Sequence, residues 1–131
     1  MAVADLASRR GPIVLSAGEA SGDLHGATLC RALRELEPGV RLLGMGGSQM
    51  RAAGMEVLLD PTAHAAVGTS EAIGRIPALY RAYRTLAARL VAERPRALVL
   101  IDFPEFNLRL TRWAIWRMRP RRHAQSCGGM K

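Results

Sequence analysis

Pro12-Ile13-Val14-Leu15-Ser16-Ala17-Gly18-Glu19-Ala20-Ser21-Gly22-Asp23 is the stretch on which the fold turns. Its first half is a short apolar run with β-branched residues, the pattern of a buried strand, and its second half is a loop of turn formers. A helix is expected from about Asp23 to Glu37, because Leu24, Ala27, Leu29, Cys30, Leu33 and Leu36 recur at helical spacing until Pro38-Gly39 stops it. Outward from there the alternation continues. Arg41 to Met45 and Glu56 to Leu59 read as further strands, with Ser48 capping a short helix between them. Pro77 to Glu93 is amphipathic, with Leu79, Tyr80, Tyr83, Leu86, Ala87, Leu90 and Val91 on one side, and both tyrosines are expected in the core. Ala97-Leu98-Val99-Leu100-Ile101 is an uninterrupted apolar run of the kind buried on both faces, and it stops at Asp102. Strands alternating with helices predict an α/β fold with an open doubly wound parallel sheet. Ligands of such sheets bind beyond the carboxyl ends of the strands, which selects two loops, Gly18 to Asp23 and Asp102 to Asn107.

The chain has 131 residues, the size of one ordinary domain and too short for two full α/β domains. With 49% hydrophobic and 23% charged residues it reads as globular rather than disordered. No apolar run approaches the roughly 18 residues of a membrane-spanning helix. Asp5 and the short apolar start do not match an export signal, so secretion is not expected. Cys30 and Cys127 stand too far apart for a disulfide framework, and a reducing compartment fits.

The formal charge of +8 suggests nucleic acid or an anionic membrane when taken whole. Residues 1–108 hold 12 Arg against 11 Asp and Glu, a net of +1, whereas residues 109–131 hold six Arg and one Lys with no acid, a net of +7. The body is therefore near neutral and the basic charge belongs to the last residues. The excess of Arg over Lys reads as a codon bias, not as a binding signature.

In the first loop, Gly18 and Gly22 allow a tight turn and close approach of the backbone to a ligand. The dinucleotide spacing G-x-G-x-x-G is absent, and no Gly-Lys-Ser/Thr follows as in a P-loop. Glu19 and Asp23 would repel a phosphate held very close, whereas the hydroxyls of a sugar donate hydrogen bonds to carboxylates. The same residues also read as a plain strand-to-helix turn with Asp23 as its cap. In the second loop, Asp102 ends a buried strand near apolar walls, an environment that raises a carboxylate toward a useful general base. Pro104 stiffens the loop, Glu105 adds a second acid, and Asn107 either caps the next helix or binds a ligand; Asp102 as a simple turn cap is the alternative. His25 lies near the rim of the first loop, where it packs, caps or touches ligand. His64, His123 and the cysteines lack metal-ligand spacing, so no metal is expected. Glu71 has no role readable from its surroundings.

Four blocks in order resemble the bacterial lipid-A-disaccharide synthase family. They are Ala17-Gly18-Glu19-Ala20-Ser21-Gly22-Asp23-Leu24-His25-Gly26-Ala27; Leu42-Leu43-Gly44-Met45-Gly46-Gly47 with Met50-Arg51-Ala52-Ala53-Gly54; Ala66-Val67-Gly68-Thr69-Ser70-Glu71-Ala72-Ile73; and Leu100-Ile101-Asp102-Phe103-Pro104-Glu105-Phe106-Asn107-Leu108. The resemblance covers about residues 12–110. It implies a partial N-terminal, Rossmann-like domain of the two-domain GT-B glycosyltransferase fold. It implies transfer of a diacylglucosamine from a UDP-sugar to the 6-hydroxyl of diacylglucosamine 1-phosphate, with inversion and release of UDP, giving the β-1,6 lipid A disaccharide. Asp102 matches the family's essential aspartate and is expected to be catalytic. Gly18, Glu19, Ser21, Gly22, Asp23, Glu71 and Asn107 are expected to bind substrate. The region Val67 to Tyr80 looks like the segment that presents apolar residues to membrane and acyl chains. No cofactor or metal is implied, no nucleic acid is expected, and the expected location is the cytoplasmic face of the inner membrane, held peripherally.

This sequence departs from the family at Glu105, where a second Asp is usual, and at Thr69-Ser70, which are more polar than the usual pair. Full members are several times longer, and their second domain supplies most of the UDP-sugar site; this chain alone is expected to be inactive. The division drawn from sequence is an incomplete α/β domain over residues 1–110 and a basic tail over 111–131. Where the family continues into another strand, this chain has dense Arg with Trp113 and Trp116. The tail reads as an out-of-frame ending or, alternatively, as a basic arm that makes the chain a small binding module for anionic membrane or nucleic acid.

Overall fold

The computed structural model describes residues 3–5, 11–61, 75–102 and 104–118. Along the chain they form β1 (Val3–Asp5), β2 (Ile13–Ala17), α1 (Ala20–Leu36), β3 (Leu42–Met45), α2 (Ser48–Ala52), β4 (Glu56–Leu59), α3 (Arg75–Glu93), β5 (Ala97–Ile101) and α4 (Pro104–Met118). One sheet takes the order β1-β5-β2-β3-β4. Its pairs β5–β2, β2–β3 and β3–β4 are parallel, and β1 runs antiparallel to β5 with Val3 opposite Val99. The expected open α/β sheet is therefore present, with one antiparallel strand added.

Side chains that alternate along a strand must enter opposite faces, and β2 is buried on both. Ile13, Leu15 and Ala17 join Ala27, Cys30, Leu42, Met50 and Val99 in the core under α1 and α2. Val14 joins Leu43, Met45, Leu86, Leu90, Leu98, Phe106 and Leu110 in a second core under α3 and α4. Each fully buried leucine among these contributes ~1.5–3 kcal/mol relative to exposure. Helices on both faces explain why β2 and β5 read as continuous apolar runs rather than alternating ones. The chain leaves β2 through α1 to reach β3 on one side, while β5 lies on the other side of β2. The carboxyl ends of β2 and β5 thus diverge at the switch point of the sheet, where such folds open a crevice.

Several local expectations change. Helix α1 begins at Ala20 rather than Asp23, because Glu19 is already extended and the Asp23 N–H closes the first turn on the Glu19 carbonyl at 2.9 Å. Ser21, Gly22 and Asp23 therefore ride on the helix and not in a loop. Ser48 opens α2 without capping it; the cap position is Gly47 and makes no side-chain cap bond. Tyr80 is 61% exposed, since the buried stripe of α3 narrows to Tyr83, Leu86, Ala87 and Leu90. Helix α3 ends at Glu93, with Arg94 in the left-handed region (φ 46°) ahead of Pro95.

Strand β1 carried no readable signal, being three residues long, yet it covers one edge of β5. At the other edge Glu56 of β4 bonds Arg41 and Arg89, and both arginines also reach Glu93. The Arg41 guanidinium holds the Glu93 carboxyl below its usual range, and that contact is made in solvent. Helix α4 crosses position 110 without a break, and both Leu110 and Ala114 are buried in the second core. Residues 119–131 of the expected tail lie outside the described residues, as do residues 62–74 with His64 and Glu71. Among the described residues no helix is long and apolar enough to cross a membrane, and no group of three or more His, Cys, Asp or Glu is placed to hold a metal ion.

Candidate functional site

Asp102 follows the last residue of β5 and adopts φ 49°, a left-handed conformation that Asp tolerates better than most residues. Two contacts hold it there. Its main-chain carbonyl accepts a hydrogen bond from Asn107 Nδ2, and its Oδ1 accepts one from the Gly18 N–H at 2.9 Å. The carboxylate is thereby aimed across the switch point at the start of α1. Its second oxygen, Oδ2, is buried and has no hydrogen-bond partner among the described residues. It lies against Gly22, where a Cβ would come within 1.7 Å of it. Gly22 is thus required for close approach, inside a helix, and not for a turn.

Asn107 is 4% exposed, and its carboxamide is used at both ends. Oδ1 accepts the Ser16 hydroxyl at 2.8 Å, while Nδ2 serves the carbonyls of Asp102 and, at 3.4 Å, Ile101. This one side chain ties β2, the end of β5 and α4 together behind the Asp102 carboxylate. Ser16 was the signal sequence reading passed over: a hydroxyl in the middle of a strand buried on both faces must find a partner.

Asp23 is also buried, but it faces away from Asp102 toward α2. Its Oδ1 accepts the Gly47 N–H at 2.8 Å and the Met50 N–H at 3.0 Å, and its Oδ2 accepts the Gln49 N–H at 3.0 Å. It supplies the anion that the start of α2 otherwise lacks. The expected cap is real, though it caps the neighbouring helix rather than its own. Gly26, one turn further along α1, leaves room for Met50 to lie against the helix, with its Sδ where a Cβ would be.

Beside Asp102 opens a cavity of about 260 Å³ lined by His25, Leu29, Leu100, Ile101 and Asp102. Glu19 and Ser21 are exposed on the first turn of α1, next to the half-buried Gly18. His25 is exposed and makes no hydrogen bond or ion pair with the described residues. Of the residues expected to form the site, Gly18, Gly22, Asp102 and Asn107 meet in one hydrogen-bonded cluster, Glu19 and Ser21 stand at its rim, and Asp23 acts one element away. Leu29 and Leu100 were not anticipated; Leu29 is a half-buried residue of α1, and Leu100 is the next-to-last residue of β5. A carboxylate with one oxygen fixed and the other unpartnered, set beside an apolar wall, suits a ligand with a hydroxyl on an otherwise apolar face.

A second hollow, of about 410 Å³, lies on the outer side of α4 between Arg109, Arg112, Trp113 and Trp116. The Arg117 guanidinium sits 5.6 Å from the Trp116 ring centre. Leu108, Ile115 and Trp116 are all exposed on this helix.

Residues 13–119 match the family model described as Lipid-A-disaccharide synthetase. The chain is 46% identical over 102 residues to the lipid-A-disaccharide synthase of Geobacter sulfurreducens, covering 78% of this chain and 27% of that protein. It is 44% identical over 102 residues to the enzyme of Nitrosococcus oceani, covering 78% and 26%. To that of Syntrophotalea carbinolica it is 48% identical over 99 residues, covering 75% and 25%. The chain thus spans about a quarter of the length of these relatives.

Proposed function

We propose, because this chain belongs to the lipid-A-disaccharide synthase family, that it is the acceptor-side part of a hexosyltransferase joining two acylated glucosamines. In this reading the donor is a UDP-diacylglucosamine and the acceptor a diacylglucosamine 1-phosphate. The acceptor's 6-hydroxyl oxygen attacks the donor's anomeric carbon on the face opposite UDP. The new C–O bond forms as the bond to the UDP phosphate breaks, the electron pair leaves with UDP, and the hydroxyl proton passes to Asp102. The anomeric centre inverts and the product is β-1,6 linked.

The observation that carries this reading is Asp102 Oδ2, buried at the switch point without a partner among the described residues. A carboxylate oxygen left so costs stability unless a donor arrives, and an acceptor hydroxyl is such a donor. Gly18 and Gly22 shape the approach, Glu19 and Ser21 offer rim contacts to sugar hydroxyls, Asn107 and Asp23 hold the walls, and Glu71 belongs to the same substrate-binding set by resemblance. Among the described residues the cavity has one cationisable side chain, His25, and no cluster of donors for a nucleoside diphosphate. The chain by itself therefore binds acceptor without turnover. Purified chain incubated with both lipids in mixed micelles is expected to release no UDP, yet to retain diacylglucosamine 1-phosphate, with Asp102→Ala weakening retention about fivefold. Retention that is absent, or untouched by the substitution, removes the acceptor assignment; UDP release overturns the inactivity.

Action at the cytoplasmic face of the inner membrane, as a peripheral protein, follows from lipid substrates. The outer face of α4 supports it, since exposed Ile115 and Trp116 beside Arg109 and Arg112 suit an anionic lipid surface better than water. The chain is expected to float with vesicles containing phosphatidylglycerol and not with pure phosphatidylcholine; equal behaviour with both counts against this contact.

A further inference from the structure

We propose that His25 is a specificity-determining residue that holds the phosphate of a phosphorylated sugar acceptor while Asp102 takes the hydroxyl. The inference rests on the acceptor reading above and adds to it the group that recognises the anion. Of the five described residues lining the cavity, three are aliphatic and one is a carboxylate; among them His25 has the side chain able to donate a hydrogen bond to an anion. It has no structural duty that accounts for it, being exposed and without a partner among the described residues.

Electrostatics fixes which end of the ligand goes where. A phosphate placed against Asp102 would set like charges in contact, in a site partly closed to water. Glu19, exposed at the N-terminal rim of α1, excludes the anion from that side as well. Asp23 is spent on α2, and among the described residues no arginine lines the cavity. The phosphate is left with the His25 end. Gly22, packed on the carboxylate, and His25 are three residues apart on α1, a rise of ~4.5 Å, the scale of one sugar ring. An imidazole and a carboxylate that line one cavity can then take two substituents of the same sugar, the phosphate at His25 and the hydroxyl at Asp102.

The test is a titration of the full chain with glucosamine 1-phosphate, glucosamine and inorganic phosphate, followed by NMR at two reporters. One is the Gly18 amide, bonded to Asp102; the other is the His25 imidazole, identified among the three histidines by its loss in His25→Gln. Glucosamine 1-phosphate is expected to move both reporters, glucosamine the Gly18 amide alone, and inorganic phosphate neither at equal concentration. His25→Ala is expected to weaken glucosamine 1-phosphate about fivefold and glucosamine less than about twofold. If Gly18 responds while His25 is silent, or if His25→Ala weakens both sugars alike, the inference fails and the acceptor reading stands. A His25 response to inorganic phosphate as large as that to the sugar phosphate also overturns it, as an adventitious anion only. If no sugar moves Gly18, the acceptor reading fails and takes the inference with it.

Discussion

Replacing Gly22 by alanine tests the geometry of the site most directly. The new methyl would stand 1.7 Å from Asp102 Oδ2 and 2.6 Å from its Cγ, so one of the two groups must yield. If the carboxylate stays, the overpacked contact costs about 1–3 kcal/mol. If it swings away, it forfeits the charged hydrogen bond from the Gly18 N–H, worth about 1.5–3 kcal/mol, and regains part of that when Oδ2 meets water. Either route leaves Gly22→Ala destabilised by about 1–3 kcal/mol, although alanine in a helix is normally better than glycine by roughly 0.5–1 kcal/mol. The clash should vanish when the carboxylate is absent. Asp102→Gly supplies that background without backbone strain, because glycine accepts φ 49°. There Gly22→Ala should stabilise by about 0.5–1 kcal/mol, reversing its sign. Urea unfolding of the four proteins of this cycle, followed by tryptophan fluorescence, reads the coupling. Equal effects of Gly22→Ala in both backgrounds, to within about 0.5 kcal/mol, would refute the contact between Gly22 and Asp102.

Other consequences are measurable in the same protein. Asn107→Leu strands the Ser16 hydroxyl and frees the Asp102 carbonyl; unfolding should show a loss of about 2–3 kcal/mol, and Ser16→Ala in that background should restore part of it. Asp23→Ala removes the acceptor shared by three amides of α2, so hydrogen exchange at Gly47, Gln49 and Met50 should quicken far more than in β2, with about 1–2 kcal/mol lost. Burial pushes the Cys30 thiol up to about 11, against the smaller opposing pull of Arg31 and Arg34. In a Cys127→Ser background the native thiol should resist alkylation at pH 8. Stability should also fall between about pH 9 and 11, because the unfolded chain releases this proton first and the folded one retains it. A flat pH profile there, or fast alkylation of the native protein, contradicts that burial.

Much of the fold was legible because its signals are local. Apolar runs bounded by Pro12, Gly18, Asp60 and Asp102 mark strands whatever the rest of the chain does. A carboxylate at the end of a doubly buried strand points to the crevice by topology alone. What stayed hidden depends on pairs of residues far apart in the sequence. Asp23 looked like a cap for its own helix because the amides it serves are more than twenty residues away. Asn107 looked like a ligand contact because nothing local shows that Ser16 stands behind it. Gly22 looked like a turn residue open to a ligand, since glycine in a helix and glycine in a loop carry the same letter. Strand β1 was invisible for a different reason: three residues are too few to show a period.

That short strand has a kinetic consequence. The edge of β5, the strand that leads into Asp102, is covered among the described residues by the pairing of Val3, Ala4 and Asp5 with Val99, Leu98 and Ala97. So few bonds open far more often than the domain unfolds. Any strand seeking that edge, from another chain or from an added tag, would have to wait for β1 to peel away and then outcompete its return. Access to that edge of β5 is therefore timed by residues 3–5, and strengthening the core would leave that clock unchanged.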